Sequence, residues 1–385
     1  MGEPEYTKVE LMTLTGPEFR RVSTATTRPA TADEIPIIDL GGMWFYKTEE
    51  TASSDSEKQA KERIAKEIRT AATGAGFFYV TNHGIPSTVV SAALDNAQRF
   101  FSQSLEDKLR VHSRLEPLGN GYSPVHSGQI NRSETKDLKE GFNFRYQPEY
   151  DPLHAGKGPV DPERSQGSEW TWEQTQHLPG FKDATVTWWQ GCLQLARGLV
   201  RLFALALELP EDYFDALTTH PGSDGLYICY PGNEKDDRNA AEKGNDKGID
   251  VGIGSHTDMQ CFTLLWQDES GGLEVLLPKG GSSSGPDTLY EWVGATPQPD
   301  TLVVNIADFL QRLSNDRFRS TVHRVYNRKS GARYSMPFFF GFNSDAECAV
   351  VPTCVDDTHP PRYAPITCGK WRDERMTLAR AAQAS

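Results

Sequence analysis

His256 and Asp258 stand two residues apart in Ser255-His-Thr-Asp-Met-Gln-Cys-Phe-Thr-Leu-Leu265. In an extended segment alternate side chains share a face, so the imidazole and the carboxylate point the same way and Thr257 points the other. A distal imidazole, His323, follows in Ser320-Thr-Val-His-Arg-Val-Tyr326. Two histidines and one carboxylate are the donor set of a facial triad that leaves positions open on Fe(II), and those open positions are where chemistry happens. Arg333 and Ser335 then repeat the i, i+2 spacing in a Tyr/Phe-rich segment that runs to Phe340. A guanidinium fork beside a hydroxyl suits a buried carboxylate. A lone His-x-Asp is a weak signal; the distal histidine and the Arg-x-Ser pair strengthen it.

Taken together and in this order, His256-x-Asp258, His323 and Arg333-x-Ser335 resemble the isopenicillin N synthase-like branch of the Fe(II)/2-oxoglutarate-dependent dioxygenases. The resemblance implies that His256, Asp258 and His323 bind Fe(II) and form the catalytic centre. It also implies that 2-oxoglutarate chelates the iron and extends its far carboxylate to Arg333, Ser335 and Tyr230, the last standing before Pro231 as it does in the family. Dioxygen is the co-reactant, succinate and carbon dioxide are the by-products, and the oxidant so formed takes hydrogen from a small-molecule substrate. Hydroxylation is the default outcome; desaturation, epoxidation and ring rearrangement begin the same way. Because Asp258 is present, the vacancy that binds halide in related halogenases is absent.

Three other readings compete. An isopenicillin N synthase-like oxidase, independent of 2-oxoglutarate, would draw all four electrons from its substrate and can retain Arg-x-Ser. A catalytically inactive jelly-roll binding protein is disfavoured by the intact ligand set. A zinc hydrolase can use His and Asp ligands but leaves Arg333-x-Ser335 unexplained.

The elements that must position these residues follow from periodicity. Residues 1–34 are polar, Thr/Pro-rich and without periodicity, and are expected to be a mobile leader. A helical and stranded scaffold is expected over 35–225, beginning with the strand Ile35-Pro-Ile-Ile-Asp-Leu40 and an amphipathic helix from Glu57 to Thr73. Val186, Trp189, Leu193, Ala196, Val200, Phe203 and Leu207 step by threes and fours along a long helix, as a core stripe does. His83, at a turn after a strand, is expected to be structural. The segment Asn233 to Gly248 reads as a solvated loop before the iron strand, and the Gly/Ser/Pro stretch from Lys279 to Asp287 as a surface insertion.

The catalytic core is expected over 226–345 and a C-terminal extension, a helix or lid, over 346–385. The fold implied is mainly β with flanking α-helices, a double-stranded β-helix or jelly roll with the metal between its two sheets. Alternation and the resemblance put Asn143, Leu226, Gln260 and Phe339 toward substrate. None of these carries a fixed charge, so a largely neutral small natural product of specialised metabolism is expected.

Composition excludes other classes. Lys plus Arg total 40 against 53 Asp plus Glu, a net charge of −13, and the basic residues form no stripe, so nucleic acid is not the expected partner. The six cysteines contain no Cys-x-x-Cys pair, which disfavours zinc ribbons and disulfide scaffolds. No apolar run is long enough to span a bilayer and the N-terminus has no signal-peptide pattern, so a cytoplasmic setting is expected.

Overall fold

Two facing sheets, each apolar on the side it buries, carry the chemistry-bearing residues. The computed structural model describes residues 6–13, 16–42, 55–116, 118–154, 168–232, 250–281 and 287–384. Among these, the larger sheet has eight strands in the spatial order β4 (Ile37–Asp39), β5 (Phe77–Thr81), β13 (Leu302–Ile306), β10 (Phe262–Gln267), β15 (Arg333–Asn343), β8 (Pro221–Tyr230), β7 (Glu140–Arg145) and β6 (Gly121–Ser123). The smaller sheet runs β1 (Tyr6–Thr13), β2 (Gly16–Ser23), β12 (Leu289–Gly294), β11 (Leu273–Pro278), β14 (His323–Val325) and β9 (Ile253–His256), with the short β3 (Arg28–Pro29) paired to β12. This is the jelly roll with flanking helices that the motifs imply.

Strand alternation sorts the larger sheet into two apolar faces. Phe142, Tyr227, Phe262, Phe338 and Phe340 point outward into a core built with the helices α1 (Asp55–Thr73), α2 (Ser87–Phe101) and α5 (Phe181–Ala206). Shorter helices α3 (Leu105–Leu109) and α4 (Ser168–Thr175) lie between them in sequence. In α5 the residues Trp189, Leu193, Ala196, Val200 and Phe203 are buried as the spacing predicts. The buried stripe is wider than read, taking in Trp188, Leu195, Leu199 and Leu202, because α5 is covered by α1 and α2 on one side and by the sheet on the other. The opposite face of the sheet, with Ile228, Tyr230 and Val303, meets Leu273, Val275 and Val325 of the smaller sheet in a second core. The site lies in this gap.

Four local expectations change. Within the leader, β1 and β2 pair antiparallel over their full length, and β2 continues parallel onto β12. Their backbone groups are therefore satisfied by a sheet edge that sequence periodicity did not reveal. Within the scaffold, the helical run through Phe100 and Phe101 to Leu109 is two helices, broken after Phe101, where Ser104 caps α3 by accepting a hydrogen bond from the Asp107 amide. The strand holding His256 ends at that residue, so Asp258 stands on the crossover from the smaller to the larger sheet. In the C-terminal extension, expected as a helix or lid, stands the helix α7 (Cys368–Ala384), packed against β15, and the core adds a short helix of its own, α6 (Asp308–Leu313), after β13. The loop expected over 233–248 and most of the insertion at 279–287 lie outside the described residues.

Candidate metal centre and cosubstrate cavity

His256 and His323 are register partners across β9 and β14, which brings their rings to 4.2 Å between centroids. Asp258 reaches the same point from the crossover. Its Oδ1 lies 3.6 Å from His256 Nε2 and 3.7 Å from His323 Nε2, and one donor atom from each residue falls within 4.8 Å of the other two. The tautomers are set from behind: His256 Nδ1 is 2.7 Å from the Gly254 carbonyl and His323 Nδ1 is 3.0 Å from the Thr321 carbonyl. With the Nδ1 protons donated to carbonyls, each Nε2 presents its lone pair. Phe77 packs edge-on to His323 at 5.4 Å and fixes its ring plane.

The carboxylate is held by the same logic. Thr263 Oγ1 donates to Asp258 Oδ2 at 2.5 Å and Asn305 Nδ2 donates to it at 2.7 Å, which leaves Oδ1 to face the imidazoles. Burial pushes the Asp258 carboxyl up, but the nearby His323 and His256 and these two hydrogen bonds bring it below the usual range. Burial, reinforced by the neighbouring His323 and more weakly by the Lys139 ammonium, pulls His256 down to about 3, so its imidazole is neutral near pH 7. Two imidazoles with their Nε2 atoms turned inward and a carboxylate, converging and backed by hydrogen bonds, fit a divalent metal.

The crossover itself is clamped. The amides of Asp308 and Phe309, at the start of α6, donate to the carbonyls of Asp258 and Gln260 at 2.9 Å each. From α7, Trp371 Nε1 donates to the Met259 carbonyl at 2.8 Å, and Arg375 pairs at 2.9 Å with Asp308, which also accepts from Thr257 Oγ1 at 3.2 Å.

A narrow cavity of about 50 Å³ joins this centre to Arg333. Arg333 and Ser335 are each 1% exposed and share its wall with Pro337 and Phe339, so the alternation read along β15 holds to Phe339. Tyr230 is the register partner of Arg333 on β8, and the guanidinium carbon sits 4.7 Å from the centre of its ring. Arg333 Nε donates to the Gly271 carbonyl at 2.5 Å and Nη2 to Gln267 Oε1 at 3.2 Å. Gly272 makes that turn possible: its φ is +89°, and a Cβ there would fall 2.0 Å from the Tyr326 carbonyl. Nη1 of Arg333 is buried with no partner among the described residues.

Of the four substrate-facing expectations, Phe339 lines the cavity; Asn143, Leu226 and Gln260 are not among its lining residues. Asn143 and Leu226 are register partners on β7 and β8, half-buried on the cavity side of the sheet. Gln260 lies one step beyond Phe339, over Gly222 and Gly341; a Cβ on Gly341 would come within 2.8 Å of its Oε1. His83 is buried at its turn, accepting from the Ile85 amide, and belongs to none of this. Thr263 and Asn305 were missed by the motif reading. The signal for Asn305 is present, since an amide inside the apolar run Leu302-Val-Val-Asn-Ile306 needs a buried partner.

The sequence matches two families in succession: over residues 35–164 the non-haem dioxygenase in morphine synthesis N-terminal family, and over residues 223–342 the 2OG-Fe(II) oxygenase superfamily. It is also 35% identical to the 2-oxoglutarate-Fe(II) type oxidoreductase ppzC of Metarhizium rileyi, across 97% of this chain and 95% of that one. The chain belongs to the 2OG-Fe(II) oxygenase superfamily. Fe(II) and 2-oxoglutarate are accordingly the cofactor and cosubstrate of this oxygenase. Clavatol oxidase claD of Penicillium crustosum is 31% identical over 80% of the oxygenase and 88% of its own length. Among solved structures, the full-length Neurospora crassa T7H in complex with alpha-KG superposes with a TM-score of 0.67 at 25% identity, covering 91% of this oxygenase and 99% of that chain. The same enzyme has been solved with alpha-KG and thymine, and superposes with a TM-score of 0.66 over 92% of this oxygenase and 98% of that chain.

Proposed function

We propose that this oxygenase oxidises a small natural product in specialised metabolism, by hydroxylation or desaturation, with His256, Asp258 and His323 holding Fe(II) and Arg333, Ser335 and Tyr230 receiving the distal carboxylate of 2-oxoglutarate. The observation that carries this reading is the buried, unpartnered Nη1 of Arg333 at the opposite end of one narrow cavity from three converging donor atoms. A guanidinium fork with a free N–H in an apolar wall is complementary to a carboxylate.

When bound, the iron and 2-oxoglutarate supply the oxidising chemistry with dioxygen. The protein's own part is positional. The carbonyls of Gly254 and Thr321 hold two imidazole protons away from the centre, Asn305 and Thr263 orient the carboxylate, and Ile228, Leu265, Leu273, Val325 and Phe339 keep the cavity dry. The kinship with ppzC and with clavatol oxidase supports a natural product as the substrate class. Six cysteines, all buried and unpaired, are in keeping with a reducing cytoplasmic setting.

The test is an anaerobic visible-absorption titration of metal-free protein with Fe(II) and then 2-oxoglutarate. A charge-transfer band that requires both additions, and is lost with turnover in Asp258→Ala, is the expected result. Iron binding with no such band would reject the cosubstrate assignment, and unimpaired turnover in Asp258→Ala would reject the metal ligand.

A further inference from the structure

The inner face of β7 carries charge that the expectation of a neutral substrate did not anticipate. Phe142 and Phe144 of this strand are buried in the helical core, so Gly141, Asn143 and Arg145 face the other way, toward the cavity side. Pairing across the sheet makes the placement explicit. Arg145 is the register partner of Asp224, Asp224 of Phe339, Phe339 of Thr263 and Thr263 of Asn305. The last three of these line the cavity, and two of them hold Asp258. Arg145 therefore ends a row that begins at the metal centre, two strand spacings or about 10 Å beyond Phe339.

Its guanidinium is poorly engaged. Nε is buried with no partner among the described residues, and the neighbouring carboxylate, Asp224, comes no closer than 3.9 Å to Nη1. The side chain is 39% exposed, so its far end opens to solvent beside Gly119, where a Cβ would stand only 3.4 Å from Nη2. Asn143, two residues before Arg145 on the same face, adds an amide that makes a long 3.5 Å bond to Ser123 Oγ among the described residues.

Lys139, immediately before β7 and in phase with Asn143 and Arg145, adds a second cation on this side. It makes no hydrogen bond or ion pair among the described residues, and its charge is felt at His256. Two carboxylates share this side: Asp224 stands 3.9 Å from Arg145 Nη1, and Asp137, whose Oδ1 accepts from the amides of Gly254 and Ile130, lies near Lys139. Neither closes a short ion pair with its cation among the described residues, which leaves the Arg145 fork open to an incoming anion.

We infer that the substrate carries a carboxylate that docks on Arg145, about 10 Å from Phe339, leaving the rest of the molecule to reach along the row through Phe339 toward the metal. Such an acid would be drawn in by Lys139 and oriented by the Arg145 fork, with the oxidised carbon several bonds away from the acid group. The assignment rests on the proposed oxygenase function, since it takes the metal centre as the place where the substrate must end.

The test uses the Fe(II)–2-oxoglutarate holoenzyme under anaerobic conditions and reads the perturbation of its charge-transfer band. The probes are hippurate, phenylacetate and N-acetylphenylalanine, each against its methyl ester. At least one acid is expected to perturb the band with roughly tenfold to hundredfold higher affinity than its ester, the range of a hydrogen bond to a charged group. Arg145→Met is expected to abolish that preference and Arg145→Lys to restore part of it, with the band itself reporting that each variant is folded. Equal responses to acid and ester, no response to any acid at millimolar concentration, or an acid preference that survives in a folded Arg145→Met overturns the assignment. Failure of the wild-type band to form at all overturns the oxygenase reading beneath it, and the docking with it.

Discussion

The two ends of the cavity solve opposite problems. At the metal end every atom that does not face the centre is satisfied: both Nδ1 positions meet a carbonyl, and Asp258 Oδ2 accepts two hydrogen bonds. At the other end Arg333 is anchored by Nε and Nη2 and left one donor short. The first end is complete as a set of ligands and needs only a cation. The second is an uncompensated buried charge, costly alone and relieved when an anion arrives. On the proposed assignment, cosubstrate affinity is stored at the second end as unfinished hydrogen bonding, and metal affinity at the first as fixed orientation.

That contrast can be broken most forcefully at Arg333. Arg333→Met is expected to weaken 2-oxoglutarate binding by about thirtyfold to several thousandfold, the order of 2–5 kcal/mol for truncating one partner of a buried charged pair. The metal-free, cosubstrate-free variant should melt no lower than the wild type, because the substitution removes a charge that the empty protein leaves underpaired. Thermal melts with and without 2-oxoglutarate measure both quantities. A stabilisation by 2-oxoglutarate that survives in the variant would show that the two ends do not differ in this way.

Next in size is the carboxylate support. Asn305→Ala is expected to lower Fe(II) affinity by about tenfold to a hundredfold, the range for residues that orient a ligand. Competition with a metal chelator reads it, and 2-oxoglutarate affinity measured at saturating Fe(II) should stay near the wild-type value. An unchanged Fe(II) affinity would mean that Thr263 alone suffices to hold Asp258. The smallest effect is expected from Ser335→Ala. Loss of one hydroxyl beside an intact guanidinium should cost about 1 kcal/mol, a fewfold rise in the 2-oxoglutarate KM. A change as large as that from Arg333→Met would move the burden of recognition from the fork to the hydroxyl.

The ligand set was legible because the residues that make it recur at strand spacing and share a family order; His256, His323 and Arg333 lie on strands, where sequence distance translates into direction. Asp258 does converge on the two histidines, but not by the strand alternation that the spacing suggests. It stands on a crossover beyond the end of β9, and the turn, not strand alternation, brings it beside His256. Partners that come from distant strands, such as Asn305 for Asp258 and Gln267 for Arg333, have no local signature beyond a polar residue in an apolar run. The leader strands were invisible for a related reason: β2 is anchored by pairing with β12, over 260 residues away in sequence for the Arg21–Leu289 partners, and β1 pairs in turn with β2. In β7, by contrast, the alternation that places Lys139 and Arg145 with Asn143 was available in the sequence and needed only the full strand to be read, not its central residue.

The clamp on the crossover has a consequence for how the centre is made. Met259, between the two sheets, is gripped by Trp371 from 112 residues further along the chain, and Thr257 is tied through Asp308 to Arg375. During synthesis both histidines and the carboxylate leave the ribosome before either clamp residue exists, so the last turns of the polypeptide lock a loop whose ligands are already present. The crossover is thus fixed by residues that follow it in the chain: until α7 docks, Met259 and Asp308 lack the Trp371 and Arg375 partners that tie them down.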